Sequence, residues 1–216
     1  MKIGILGTGM VGNTLGTKLV QLGNTVKMGS RFAHNQKAID WADKTGSGAS
    51  QGSFAEAASF GEIVFNCTKG EFSLDAVTSA GVKTMDGKIV IDVANPLDFS
   101  KGMPPSLLPA YFNTSSLGEQ MQSTLRGSKV VKTLNTMNCN LMVNPALVPG
   151  SHDIFICGND DAAKEKVKEI LKSFGWDNPI DLGDITSSRA TEMLLPLWIR
   201  LMMLYKSPNF NFKISK

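Results

Sequence analysis

A glycine-rich turn near the start of the chain limits the possible folds more than any other feature of the sequence. It directly follows the apolar run Ile3–Leu6 and opens a segment whose apolar residues recur at helical spacing. In a GxGxxG turn between strand and helix, the first glycine permits a tight turn and the second lets a pyrophosphate approach the backbone. The third lets the helix pack closely on the strand. The pattern therefore predicts a dinucleotide-binding α/β domain. The candidate binding residues in the turn are Gly7, Thr8, Gly9, Met10, Val11 and Gly12.

Short runs of β-branched residues alternate with helical patterns along the rest of the chain. This alternation predicts a doubly wound, Rossmann-type parallel sheet flanked by helices. The expected strands are Ile3–Leu6, Thr25–Met28, Ile63–Cys67, Lys88–Val93, Val130–Leu134, Ile154–Cys157 and Ile180–Leu182, with at most a short strand in residues 46–52. The expected helices are Val11–Leu22, Asn35–Lys44, Phe72–Ala80, one opening at Ser116, Asp161–Phe174 and Ser188–Tyr205. We expect the nucleotide-binding domain to cover residues 1–183 and a helical extension to cover residues 184–216.

Two further segments have unusual properties. The stretch Asn95–Ser115 contains four prolines and shows no clear periodicity, which is typical of a lid or binding loop. The final helix, Ser188–Tyr205, is apolar nearly all round and should therefore be buried. Core packing and a homodimer interface both satisfy that requirement, and a homodimer is the favoured interpretation.

The residues after the second strand indicate which dinucleotide binds. An NAD site places Asp or Glu there to accept from the ribose 2′-hydroxyl. This chain has Ser30 and Arg31 instead, and the next acid is Asp40. Ser30 can donate to a 2′-phosphate, and the Arg31 guanidinium can pair with it and stack on adenine. The alternative for Arg31 is an ordinary solvated surface residue. The sequence predicts NADP(H) rather than NAD(H).

Polar side chains follow three later strands, and ligands of open α/β sheets bind at such carboxyl ends. These residues are predicted to line the pyrophosphate, ribose and nicotinamide of the cofactor. Asn and Pro are also favoured in ordinary turns, which is the alternative explanation. The candidates are Thr68, Lys69, Ala94, Asn95, Pro96, Asn135 and Thr136.

No catalytic residue can be assigned from the sequence. It contains no Ser/His/Asp set and no Tyr-x-x-x-Lys pair, and its two histidines, His34 and His152, lie away from the predicted strand ends. Hydride transfer between two ring cofactors depends more on stacked geometry than on a proton donor. The sequence is compatible with that chemistry.

Composition excludes several other classes. A net charge of +3, from 22 basic and 19 acidic residues, is too small to suggest nucleic acid binding. The most apolar segment, Met193–Leu204, contains Pro196 and Arg200 and is too short to span a membrane. We also expect no secretory signal and no metal site. Three widely spaced cysteines without a CxxC pattern are typical of free thiols in a reducing compartment, so a cytoplasmic location is predicted.

Five segments together resemble the NADP oxidoreductases that depend on the deazaflavin coenzyme F-420. They are MKIGILGTGMVG, LGNTVKMGSR, VVKTLNT, CGNDDAAKEKVKEIL and DLGDITSSRATEMLLPLWIRLM. The oxidoreductase domain of the STEAP ferric reductases looks similar as well. The resemblance implies hydride transfer between NADPH and a flavin-like ring acceptor. The family's cofactor-binding role falls on Thr8, Gly9, Met10, Val11, Ser30, Arg31, Asn135 and Thr136.

The chain departs from the archaeal members of that family in two places. Residues 68–72 replace a tryptophan-containing segment, and the loop Asn95–Ser115 differs. Both departures lie where the acceptor would dock, so coenzyme F-420 and an ordinary flavin both remain candidates. A reductase of a small carbonyl or imine normally has a large helical second domain, for which about thirty residues after Leu182 are too few. A non-catalytic NADPH sensor is the third possibility.

Overall fold

A computed structural model describes residues 1–215 and contains an eight-stranded sheet. Its strands are β1 (Lys2–Leu6), β2 (Thr25–Ser30), β3 (Ala49–Ser53), β4 (Ile63–Asn66), β5 (Ile89–Asp92), β8 (Lys129–Thr133), β9 (Phe155–Gly158) and β10 (Ile180–Asp181). They lie side by side in the order β10-β9-β8-β5-β4-β1-β2-β3. A separate antiparallel hairpin joins β6 (Leu97–Asp98) to β7 (Ser106–Leu107). Strands β1 to β5 and β8 run parallel, and this arrangement confirms the Rossmann-type fold.

Helices cover both faces of the sheet. They are α1 (Met10–Gln21), α2 (Gln36–Thr45), α3 (Phe54–Phe60), α4 (Ser73–Ala80), α5 (Leu117–Thr124), α6 (Cys139–Val143), α7 (Asp161–Phe174), α8 (Ser188–Met193) and α9 (Leu195–Tyr205). One apolar cluster includes Leu15 of α1 and Val167 of α7, whereas the other includes Ala57 of α3 and Met121 of α5. Alternate residues of the buried strands enter the two clusters, as Val64 and Phe65 do.

The sheet differs from the sequence prediction at its edges. Strand β9 runs antiparallel to β8, so the sheet is mixed rather than wholly parallel. The serine-rich stretch forms the complete strand β3, and the unpredicted helix α3 follows it directly. A capping box begins that helix, because the Ser53 hydroxyl accepts from the Glu56 N–H while the Glu56 carboxylate accepts from the Ser53 N–H.

The predicted final helix is interrupted at Leu194 and forms α8 and α9 instead. Pro196 lies in the first turn of α9, where its missing N–H cannot bond the carbonyl four residues earlier. Core packing within this chain does not bury the whole of α9, and burial in a homodimer interface stays a prediction. Leu195, Trp198 and Ile199 are buried, but Leu197 is 50% exposed and Leu204 is 71% exposed. Residue 216, the end of the predicted extension, lies outside the described residues.

The long loop between β5 and α5 contains the small hairpin and a 3₁₀ turn at Pro109–Tyr111. The second half of the loop is hydrogen-bonded to its first residues, because the Leu108 N–H donates to the Pro96 carbonyl at 2.8 Å. Phe99, Met103 and Phe112 are exposed on its surface. Within residues 1–215, none of the helices combines the length and apolar character needed to cross a membrane.

Candidate active site

The glycine turn has the backbone geometry that pyrophosphate binding requires. Gly7 has a φ of 118°, and a Cβ there would lie 2.7 Å from the Cys67 carbonyl oxygen. A Cβ at Gly12 would lie 2.2 Å from the Gly7 carbonyl oxygen, so α1 could not pack so closely with a larger residue. Gly9, by contrast, faces open space with no atom within 4 Å of a Cβ position. Gly7 thus permits the turn, Gly12 permits close packing of α1, and Gly9 leaves space for a ligand to approach the backbone.

The N-terminus of α1 is free to bind an anion. Gly9 caps the helix without a side-chain hydrogen bond, and no acidic residue lies in the first turn. The backbone N–H groups and the positive end of the helix dipole therefore remain available. Thr8 and Val11 are half-buried beside the turn, whereas Met10 is exposed.

Asn13 is a site residue that the sequence reasoning missed. Its side-chain amide donates to the carbonyls of Thr8 and Gly9, at 3.1 Å in each case. These bonds hold the turn in its open shape and keep both carbonyl oxygens occupied. The sequence did contain a signal for this role, since a polar residue directly follows the third glycine of the turn.

The end of β2 presents one free cation. Arg31 is exposed, and within residues 1–215 it makes no hydrogen bond or ion pair. Its guanidinium carbon lies 5.9 Å from the centre of the Phe72 ring. Ser30 is buried, and its hydroxyl donates to the Phe32 carbonyl rather than pointing outward. The guanidinium is thus the group at this position with unused donors, and His34 is an exposed residue beyond it.

The two candidates after β4 differ in orientation. Thr68 is half-buried, and its hydroxyl lies 2.7 Å from Asn66 Oδ1 and 2.9 Å from Ser73 Oγ. Lys69 is exposed, with its Nζ 3.9 Å from Glu71 Oε1. Thr68 therefore joins a buried polar network, while Lys69 alone faces outward.

The carboxyl ends of β5 and β8 are joined by two asparagines. The Asn95 amide donates to the Asn135 carbonyl at 2.8 Å, and the Asn135 amide donates to Asn95 Oδ1 at 3.0 Å. Leu134, directly before Asn135, has a φ of 65°, an unfavourable conformation for a residue with a Cβ. Such strain persists only where surrounding contacts impose it, and it is frequent at functional sites. The flanking candidates Ala94, Pro96 and Thr136 are buried.

A fully buried group of charges lies beneath these strand ends. Lys132 Nζ is 2.8 Å from Asp92 Oδ2, 2.8 Å from Glu192 Oε1 and 2.6 Å from the Ala94 carbonyl oxygen. The three charged side chains are 0% exposed. Burial lowers the pKa of Lys132, but the Asp92 and Glu192 carboxylates outweigh it, so the pKa is raised overall.

Glu192 connects this group to the beginning of α5. Its carboxylate accepts from the Leu117 N–H at 2.8 Å and from the Gly118 N–H at 3.0 Å. Burial is the main cause of the raised pKa of Glu192, and the nearby Lys132 opposes it. The carboxylate also benefits from the positive end of the α5 dipole.

The buried charges therefore fix both ends of the long loop. Lys132 binds Ala94 where the loop leaves β5, and Glu192 binds α5 where the loop ends. Arg189 adds a bidentate contact from α8 to Glu119 of α5, and this contact lowers the pKa of Glu119. The middle of the loop has no comparable anchor among the described residues.

An apolar cleft of about 640 Å³ lies between the loop and the first turns of α9. Arg200 at its edge makes no hydrogen bond or ion pair with any residue of the described part of the chain. Its lining residues are Pro104, Pro105, Ser106, Leu107, Phe112, Pro196, Leu197 and Arg200. A larger groove of about 1430 Å³ runs along α1 and reaches the glycine turn.

Comparisons with known proteins identify the family. Residues 2–96 match the model for NADP oxidoreductases, coenzyme F420-dependent. The F420-dependent NADP reductase of Methanocaldococcus jannaschii is 30% identical over 225 residues, which cover 100% of this chain and 98% of that protein. The chain belongs to the coenzyme F420-dependent NADP oxidoreductase family. It is therefore an NADP-dependent oxidoreductase.

Three further proteins are similar to this chain to different degrees. A crystal structure from Arthrobacter sp. FB24, provisionally assigned as an F420-dependent NADP reductase, is 48% identical with a TM-score of 0.94 and full coverage of both chains. Metalloreductase STEAP3 of Rattus norvegicus is 31% identical over 203 residues, 91% of this chain but 38% of that protein. A reductive aminase from Aspergillus terreus shares the fold alone, at 16% identity and a TM-score of 0.66, covering 95% of this chain and 62% of that one.

Proposed function

We propose that this oxidoreductase transfers hydride between NADPH and a flavin-like ring acceptor, either coenzyme F420 or an ordinary flavin. The observation that carries the proposal is the apolar cleft with its free Arg200. One wall of the cleft is the loop that follows β5, and the other wall is α9. Helix α9 directly follows α8, and α8 is held in place by the ion pair between Glu192 and Lys132. A cleft of about 640 Å³ is within the range for small-molecule sites.

The residues present fit NADP(H). The open approach at Gly9 and the free α1 N-terminus suit a pyrophosphate, and Arg31 has unused donors for the 2′-phosphate. We assign the remaining candidates to the walls of the ribose and nicotinamide positions: Thr68, Lys69, Ala94, Asn95, Pro96, Asn135 and Thr136. NADPH supplies the hydride when bound.

The protein's contribution to this chemistry is to position the reactants. The Asn95–Asn135 pair holds two strand ends together, and Lys132 fixes the Ala94 carbonyl beside them. In the apolar cleft, Leu107, Phe112 and Leu197 offer a surface on which an acceptor ring can stack. Reactants held in a near-attack arrangement transfer hydride without a side-chain proton donor, and the reduced ring takes up its proton from solvent.

A panel of acceptors tests the proposal. NADPH absorbance should fall when coenzyme F420, FMN or riboflavin is added to the purified protein, with turnover on at least one of them. Arg200→Leu should raise the KM for that acceptor and leave the Kd for NADPH unchanged, because Arg200 lies at the cleft and not at the glycine turn. NADPH binding without turnover on any ring acceptor would favour a sensor, and turnover on small imines alone would favour the reductive aminase type.

We also propose that the protein is a cytoplasmic homodimer. The cysteines Cys67, Cys139 and Cys157 are free thiols, which suits a reducing compartment. Met203 and Leu204 lie at the end of α9, beyond the cleft, and both are exposed. An exposed apolar surface of this kind is typical of one that a second copy covers.

Leu204→Glu should convert the dimer into a monomer, because a carboxylate would be buried at the interface without a partner. Light scattering coupled to gel filtration measures the mass directly. Leu22→Glu is the matched control, since Leu22 is an exposed leucine at the end of a different helix. A monomeric parent protein, or a Leu204→Glu variant that remains dimeric, would contradict this part of the proposal.

A further inference from the structure

Helices α5 and α8 meet at a glycine. A Cβ at Gly118 would lie 2.8 Å from Ser188 Cβ and 2.6 Å from Ser188 Oγ. Carbon atoms in ordinary contact lie about 3.5–4.0 Å apart, so the two helices are closer here than a second side chain would allow. Gly118 lies inside α5, where alanine is the better helix former. Close packing against α8 therefore accounts for the glycine, and we call this the α5–α8 contact.

Hydrogen bonds join the two helices on either side of this glycine. The Ser116 and Ser188 hydroxyls lie 2.7 Å apart, and both residues are fully buried. The Glu192 carboxylate accepts from the N–H groups of Leu117 and Gly118, at 2.8 and 3.0 Å. Bonds of this type span about 2.7–3.2 Å, so moving the helices apart by about 1 Å would break them.

The two helices continue into the two walls of the apolar cleft. The loop that supplies Phe112 ends at α5, and α9, which supplies Leu197, directly follows α8. Helical hydrogen bonding continues from α8 into α9, because the Leu194 N–H donates to the Ala190 carbonyl at 3.1 Å and the Trp198 N–H donates to the Leu194 carbonyl at 3.0 Å. A change in the distance between α5 and α8 therefore changes the distance between the walls.

We propose that Gly118 and Ser188 are positioning residues for the hydride acceptor, because their contact sets the width of the apolar cleft. A planar ring between two apolar walls needs close contact on both faces, since a gap of about 0.5–1 Å forfeits a quarter to a half of the dispersion energy. The buried ion pair between Glu192 and Lys132 attaches α8 to the sheet, so one side of the α5–α8 contact is fixed. This inference rests on the acceptor cleft proposed above and does not involve the glycine turn.

Three variants test the contact. Gly118→Ala adds a methyl group that forces α5 and α8 apart by about 1 Å. Adding Ser188→Gly to the same chain removes the Cβ that this methyl group meets, so the double variant should regain the parent spacing. Gly52→Ala is the matched control, since a Cβ at Gly52 would lie 2.9 Å from Glu56 Oε2, the end of a flexible side chain beside the edge strand β3.

Ring binding is measured with NADP⁺ in place of NADPH, from the fluorescence of coenzyme F420 and of FMN. Gly118→Ala should raise the Kd of the ring about tenfold, because one face loses its close contact. The Kd for NADP⁺, measured without a ring, should stay unchanged. Hydrogen exchange of the backbone amides at residues 117 and 118 should become about tenfold faster, because Glu192 no longer accepts from them.

A further variant loosens the contact without adding volume. Glu192→Gln replaces one carboxylate oxygen with an amide group that cannot accept from α5. It should weaken ring binding about threefold and leave NADP⁺ binding unchanged, because one of two bonds to α5 is lost. Glu192→Gln therefore decides the question if Gly118→Ala does not fold, since unchanged ring binding would then overturn the inference.

The outcomes separate this inference from the proposed function. Weaker ring binding in Gly118→Ala that the double variant recovers, with no loss in Gly52→Ala, supports the inference. Unchanged ring binding despite faster exchange would show that the contact serves packing alone and would overturn it, as would an equal loss of ring and NADP⁺ binding. A parent protein that binds the ring without transferring hydride would contradict the proposed function only. A parent protein that binds no ring would overturn both.

Discussion

Replacing Lys132 with Met is expected to lower the free energy of unfolding by about 3–5 kcal/mol. Two carboxylates, those of Asp92 and Glu192, would then remain fully buried without a cation. The Ala94 carbonyl would also lose its donor. A buried charge without a partner costs far more than an ordinary lost hydrogen bond. Urea denaturation followed by circular dichroism gives the change directly.

Lys129→Met is the control for this experiment. Lys129 lies three residues earlier on the same strand and pairs with Asp160 at 3.2 Å, but its side chain is 42% exposed. A surface ion pair of that kind contributes about 0–1 kcal/mol. If both variants lost similar, small amounts of stability, the buried charges would not be fixing the loop ends.

Replacing Arg31 with Ala should weaken NADPH binding about ten- to over a hundredfold and NADH binding far less. A charge-assisted hydrogen bond to the phosphate contributes about 1.5–3 kcal/mol, and the guanidinium has no other ionic partner among residues 1–215. Quenching of protein fluorescence by each reduced cofactor measures the two Kd values.

Arg126→Ala is the matched control, because Arg126 is an exposed arginine in the turn between α5 and β8. Arg31→Lys should fall between the parent and Arg31→Ala, since lysine retains the charge but lacks the planar fork. Equal losses for NADPH and NADH in Arg31→Ala would show that the end of β2 does not recognise the 2′-phosphate.

The features predictable from sequence are those that local geometry determines. Gly7 and Gly12 have backbone roles that a residue with a Cβ cannot fill, and Gly9 leaves the approach to the turn open, so their spacing predicts the fold and the proposed phosphate site. The position of Arg31 is also determined locally, because it directly follows β2 and this placement does not depend on contacts with distant parts of the chain. The Phe72 ring beside it depends on two different strand ends and was not predictable from either.

The buried charges were missed because their partners are far apart in the chain. Asp92, Lys132 and Glu192 come together only when β5, β8 and α8 have packed. A signal did exist, since Asp92 ends the apolar run Ile89–Ile91 and Lys132 follows Val130 and Val131. A charged residue inside a buried strand requires a partner of opposite charge, so this rule predicts that Asp92 and Lys132 form an ion pair.

Other errors have local causes that could have been recognised. Helix α3 is only seven residues long, but its Ser53–Glu56 capping box is visible in the sequence. Pro196 marked the interruption between α8 and α9. The exposed face of α9 is different, because its burial depends on the proposed second copy and not on this chain alone.

Single-turnover hydride transfer from NADPH carrying deuterium on one face of C4 tests the central claim most directly. The enzyme is mixed with the labelled NADPH and the best ring acceptor of the panel, and acceptor absorbance and product mass are both recorded. We predict that the acceptor is reduced and that the NADP⁺ formed loses its deuterium for one labelled face and keeps it for the other. An acceptor that stays oxidised while bound NADPH remains unchanged would contradict the assignment of this chain as a reductase of ring acceptors.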